Sequence, residues 1–175
     1  MSVETQSIAG ERADLLESLG KHRNLLRYTA RDLTDEQAAQ RTTVSELCLG
    51  GLIKHVAATE RAWADFIVKG PSVFGDFASM TEADWARRAD EFRMLPGETL
   101  AGLLAEYAEV ARRTDELVAS LPDLDVSHPL PKAPWHEDTS WSARRVLIHI
   151  IAETAQHAGH ADIIREALDG AKSMG

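Results

Sequence analysis

The sequence has a single cysteine, Cys48, so it cannot close an internal disulfide. One unpaired thiol predicts a reducing, cytoplasmic setting. No run approaches the roughly 18 consecutive apolar residues that a membrane span needs. Met1-Ser2-Val3-Glu4 also lacks the basic segment and apolar run of a secretory signal. Basic residues are few: 19 Lys and Arg against 28 Asp and Glu leave a net charge of −9. That balance argues against non-specific nucleic-acid binding, which needs clustered cations to displace counterions. Internal repeats, low-complexity tracts and convincing strand alternation are lacking as well.

What is present is helical. A chain of 175 residues, 44% hydrophobic and 27% charged, suits one soluble domain over residues 1–175 with a substantial core. Apolar residues recur three and four apart in stretches rich in Ala, Leu, Glu and Arg. A first helix is expected from Thr5 to Arg31, with Ile8, Leu15, Leu19, Leu26 and Tyr28 near its inner face. Thr34 with Gln37, and Thr43 with Glu46, match the capping box. The first opens a short turn of helix; the second is expected to open a long helix ending at Lys69, stopped by Gly70-Pro71. An amphipathic piece starts at Thr81, and Pro96-Gly97-Glu98-Thr99 leads into a third long helix ending near Leu121. Residues 122–140 hold four of the six prolines, with Trp135 and His136, and read as an irregular loop that could line a cleft mouth. Ser140 is expected to cap a fourth long helix running to Leu168 before Gly170. The fold class is all-α, a four-helix bundle.

The fourth helix carries the anomaly. With Val146 at zero and about 100° per residue, Glu153 and His157 fall within about 20° of it, inside the expected apolar stripe. A carboxylate buried there without compensation costs several kcal/mol. Glu and His at i and i+4 project side by side and can share one cation, which would neutralise the carboxylate. The other reading pairs Glu153 with an arginine or histidine and leaves His157 a hydrogen-bonded packing residue. His149 and His160 crowd the same face, and spacing does not select the ligands among these four. On the second helix His55 lies about 60° from the stripe of Leu52, Val56 and Trp63, at its edge. Glu60, at i+5 from His55, falls outside the set. Cys48 is read as a small core residue, not a nucleophile.

Two segments carry a resemblance. They are Gly51-Leu-Ile-Lys-His-Val-Ala-Ala-Thr-Glu-Arg-Ala-Trp63 and His149-Ile-Ile-Ala-Glu-Thr-Ala-Gln-His-Ala-Gly-His-Ala-Asp-Ile-Ile-Arg-Glu166. Together they resemble the DinB-like (DinB/YfiT-like) superfamily of metal-binding four-helix bundles, most closely its actinobacterial branch of mycothiol-dependent enzymes. The resemblance implies a divalent metal, Zn²⁺ first with Ni, Mn or Fe as the other options, held by His55, Glu153 and His157. Glu153, where many relatives have histidine, is similar to the metal-binding domain of the maleylpyruvate isomerase branch. The fuller isomerases carry an extra C-terminal domain that this sequence does not include, so isomerisation is not part of the expectation. His160 and His149 are implied to stand beside the ligands or face substrate. Arg145, Arg165, Trp63 and Trp141 lie near the segments that would bind the sugar hydroxyls and carboxylate of a cofactor thiol. The implied activity is transfer of mycothiol or a similar low-molecular-weight thiol to an electrophilic small molecule. A metal-assisted hydrolase and a non-catalytic, metal-binding stress-response scaffold are the alternatives. Nucleic acid and membrane are not expected partners, and a homodimer is compatible with the pattern.

Overall fold

The structure is a computed structural model and describes residues 10–75, 79–132 and 139–174. Four long helices form a bundle: α1 (Glu11–Thr29), α3 (Leu49–Lys69), α5 (Leu100–Ser120) and α6 (Ala143–Asp169). Two short helices, α2 (Asp35–Ala39) and α4 (Glu82–Asp90), lie in the connections. Around the ring α1 packs on α6, α6 on α3, and α3 on α5. The chain therefore does not run simply up and down between sequential neighbours. Among the described residues, no helix is long and apolar enough to cross a membrane.

The helix boundaries follow local chemistry. Thr34 and Thr81 each close a capping box, with Gln37 and Asp84 returning the second bond. Thr99 caps α5 through the Gly102 N–H, and Gly170 ends α6 in the left-handed conformation. Two expected starts are displaced. The Thr43 hydroxyl accepts from Ser45 N–H and Glu46 pairs with Arg41, so no capping box forms there. The cap of α3 lies five residues later, where the Cys48 sulfur accepts from Gly51 N–H at 3.4 Å. Ser140 is likewise taken up by a short strand, and Ser142 caps α6. That strand, β2 (Ser140–Ser142), pairs antiparallel with β1 (Ser127–Pro129), a feature the proline-rich sequence did not announce. His128 Nε2 donates to the Ile67 carbonyl at 3.1 Å and fastens the ribbon to the end of α3. Trp135 and His136, like Thr5 and Ile8, lie outside the described residues.

The core divides into two apolar halves. One gathers Leu26, Leu52, Ile53, Val56, Leu103, Tyr107 and Ile164; the other gathers Leu19, Phe66, Val118, Val146, Leu147 and Ile150. Between them in sequence, each long helix contributes a buried polar residue: Arg23, Glu60, Thr114 and Thr154. Arg23 binds Glu60 through two hydrogen bonds, 2.6 and 3.1 Å long, and reaches Asp115 at 2.8 Å. Glu60 is fully buried, so this pairing is what makes its charge tolerable. Its pairing with Arg23 also accounts for its absence from the metal set.

The two glycines that open α3 admit a close neighbour. A Cβ on Gly51 would stand 1.9 Å from the Phe92 carbonyl oxygen, and one on Gly50 would stand 2.2 Å from Met94 Sδ. Glycine inside a helix is intrinsically about 1 kcal/mol worse than alanine. Here it lets the chain after α4 lie directly on α3, where Lys54 also binds Glu98 at 2.7 Å. Gly51→Ala is expected to destabilise the protein by about 1–2 kcal/mol, because a backbone clash of about 1–3 kcal/mol exceeds the helix-propensity gain. Denaturant unfolding measures it; a stabilised variant would show that the contact is not tight.

Candidate metal centre

The middle of α3 and the middle of α6 face each other across the bundle, and three side chains meet there. One ligand-capable atom from each of His55, Glu153 and His157 lies within 4.8 Å of the others. The His55 and His157 rings meet edge-to-face at 4.9 Å. Their exposures differ from the sequence expectation in one respect. Both imidazoles are 12% exposed, but the Glu153 carboxylate is 30% exposed. The buried face of α6 consists of Val146, Leu147, Ile150, Thr154, Ala158, Ala161 and Ile164. Its centre stands about 60° from Val146, so Glu153, about 80° from that centre, lies outside the buried arc and His157, about 40° from it, lies just within its edge. Glu153 borders open space, as a ligand-binding site requires.

The hydrogen bonds orient the donors. His157 Nδ1 lies 3.3 Å from His160 Nδ1, so one ring supplies N–H and the other a lone pair. This leaves His157 Nε2 directed toward Glu153, 3.6 Å away. The neighbouring His157 holds the Glu153 carboxyl below the ordinary carboxylate range, with His149 and His55 adding to the effect against desolvation. Thr59 Oγ1 stands 3.4 Å from His55 Nε2. His55 Nδ1 is buried with no hydrogen-bond partner among the described residues, and Glu91 Oε2 is its nearest carboxylate at 3.6 Å. Phe92 stacks on the His55 ring at 4.0 Å and 24°. Two imidazoles and a carboxylate form a donor set that fits a divalent transition metal.

A cavity of about 390 Å³ opens beside the cluster, with His55 and Glu153 in its wall. Its far side is aromatic. Trp63 stacks on Trp141 at 5.0 Å and 22°, and His149 meets both edge-on at 4.9 and 5.1 Å. The ribbon that precedes α6 puts Trp141 there. His149, one turn before Glu153, therefore faces the cavity, whereas His160 stands behind His157. Arg145 lays its guanidinium over the Trp141 ring at 4.1 Å and reaches the cavity only through it. Arg165 is in a different place. It is 5% exposed, binds Asp169 at 2.8 Å, and donates to the carbonyls of Thr29 and Arg31 at 2.7 Å each. Eight residues past His157, about 12 Å along the helix, it ties α6 to the end of α1 and does not reach the cavity. The expectation that it binds a cofactor is corrected accordingly.

Sequence reasoning did not find Glu91, Phe92 or Phe74, which all come from outside the long helices. The Gly50-Gly51 pair was the available hint, since consecutive glycines inside a helix mark a close backbone approach.

No curated protein matches the chain. A solved structure with the same fold is YfiT from Bacillus subtilis, described as "a probable metal-dependent hydrolase with an unusual four-helix bundle topology". It superposes with a TM-score of 0.63 at 16% identity, covering 93% of this chain and 89% of that one. At such identity the likeness establishes the fold alone. Residues 14–170 match the family profile described as mycothiol-S-transferase, nearly the whole length of the sequence. The chain therefore belongs to the mycothiol-S-transferase family, within the DinB-like bundles that its second and fourth long helices resemble.

Proposed function

We propose that this protein is a divalent-metal-dependent S-transferase that joins a mycothiol-type thiol to an electrophilic small molecule in the cytoplasm. The observation that carries the reading is the convergence of His55, Glu153 and His157 beside a cavity, in a chain of this family. These three residues would hold the ion, and the mixed nitrogen and oxygen donors suit Zn²⁺ first, then Ni, Mn or Fe. When bound, the cation supplies Lewis acidity that brings a thiol of ordinary pKa about 8.5 to the thiolate at neutral pH.

The chain's own residues do the remaining work. Trp63, Trp141 and Phe74 exclude water from one side of the cavity, which preserves the nucleophilicity of the sulfur. Arg145 steadies Trp141 from its outer face. His160 holds His157 through Nδ1 and so fixes which nitrogen faces the site. In the reaction the thiol proton leaves to solvent, the sulfur lone pair forms the new S–C bond, and the leaving group departs with its bonding pair. Cys48 has no part in this; it is buried at the start of α3.

The test is turnover of an activated alkyl or aryl halide by the zinc-loaded protein. The expected result is consumption only when both metal and mycothiol are supplied, with the thioether seen by mass spectrometry. Metal-dependent ester or amide cleavage without thiol would replace this reading with a hydrolase, and no turnover of either class at full metal occupancy would leave a metal-binding scaffold.

A further inference from the structure

The connection after α4 brings one carboxylate to the back of the metal cluster. Glu91 follows the last residue of α4, and its Oε2 lies 3.6 Å from His55 Nδ1. That nitrogen is buried and has no hydrogen-bond partner among the described residues. The distance is just beyond a hydrogen bond and within the range that a small side-chain movement closes. Phe92 stacks on the same ring at 4.0 Å, so the two consecutive residues address His55 from its edge and its face. They are held there by backbone packing. The Phe92 carbonyl occupies the space a Cβ on Gly51 would take, and Met94 fills the space beside Gly50.

We infer that Glu91 is a positioning residue of the metal centre, accepting a hydrogen bond from His55 Nδ1–H so that the ring is fixed with Nε2 as its donor. This rests on the reading of His55 as a ligand. The physical reason is general: a ligating imidazole is neutral, and a carboxylate on its other nitrogen selects the tautomer, fixes ring orientation and raises ligand basicity. His157 receives the equivalent support from His160. Each histidine of the cluster then has its own outer partner, one from the same helix and one from a segment 36 residues away in sequence. Glu91 also lines the cavity, so its support of His55 is exposed to whatever enters there.

The experiment compares Zn²⁺ affinity by competition with a chromophoric chelator in the wild type, Glu91→Gln, Asp90→Asn and His55→Ala. Glu91→Gln is expected to bind Zn²⁺ about 10–100-fold more weakly, the usual effect of losing such a partner. Asp90→Asn removes a neighbouring charge that is engaged with Arg93 and is expected to leave affinity unchanged. Nitrogen-15 NMR of the imidazoles adds a readout that loss of packing alone would not move. His55 is expected as the Nδ1–H tautomer in the zinc-loaded wild type, and as a mixture or the other tautomer in zinc-free Glu91→Gln. Wild-type affinity in Glu91→Gln, an equal loss in Asp90→Asn, or an Nε2–H tautomer in the wild type would overturn the proposal. If His55→Ala also keeps wild-type affinity, the ligand reading itself fails; if only Glu91→Gln keeps it, the positioning role fails alone.

Discussion

Alanine at His157 is expected to abolish stoichiometric metal binding, weakening affinity by more than about 10³-fold, or roughly 4 kcal/mol. His157 is the member of the cluster whose ring is best fixed, by His160 at 3.3 Å on one nitrogen and Glu153 at 3.6 Å from the other. Removing it leaves one imidazole and one carboxylate on different helices, too few donors to retain an ion against water. Glu153→Ala is expected to lose metal similarly. Elemental analysis of the purified proteins measures both. His55→Ala carries separate weight, since the sequence by itself placed that residue only at a helix edge. If His55→Ala alone retains metal, the third donor is His149 or His160. Thiol transfer should vanish along with the metal, while thermal unfolding of the metal-free proteins should be nearly unchanged. The three side chains flank the buried core and contribute little to it. Full metal in all three variants would refute the site.

Breaking the buried ion pair at the waist of the bundle is expected to be the most destabilising change in the molecule. Arg23 is 4% exposed and Glu60 fully buried, with two hydrogen bonds between them. Arg23→Ala leaves a carboxylate in the core between two apolar clusters, facing Tyr107, whose hydroxyl is already pushed up by burial and by that same charge. Removing one partner of such a pair generally costs about 3–5 kcal/mol. Asp115 is half-exposed and is released to solvent, so it adds little. The double replacement Arg23→Leu with Glu60→Leu removes both charges together and is expected to recover most of the loss. Denaturant unfolding of the single and double variants forms a cycle that isolates the pair. A loss below about 1 kcal/mol in Arg23→Ala, the range of an exposed pair, would show that water reaches Glu60.

These two sites differ in how far the chain alone disclosed them. Period-3.6 patterning, the capping box at Thr34, the helix starts placed at Thr81 and after Pro96-Gly97-Glu98-Thr99, and the Gly70 and Gly170 stops gave the helices and hence the bundle. Capping is a contact between residues three apart, which sequence displays directly. The two starts that moved, at Thr43 and Ser140, did so because a turn engaged the Thr43 hydroxyl and strand pairing engaged the Ser140 backbone. Glu153 and His157 stood out as an i, i+4 pair of donors on one helix. The depth of Glu153 was overestimated, because the buried face of α6 depends on which helices flank it.

What the sequence determined by itself is the set of helices and the paired donors of the fourth, since both are consequences of spacing within one helix. That His55 meets them was implied by family likeness, and the packing of α3 on α6 is what brings its ring to 4.9 Å from His157. Only the tertiary structure decided that Glu60 belongs to Arg23, that Arg165 ties α6 to α1, and that Glu91 and Phe92 back His55. Each of those contacts joins residues at least 36 apart in sequence, and no local periodicity encodes a partner at that distance.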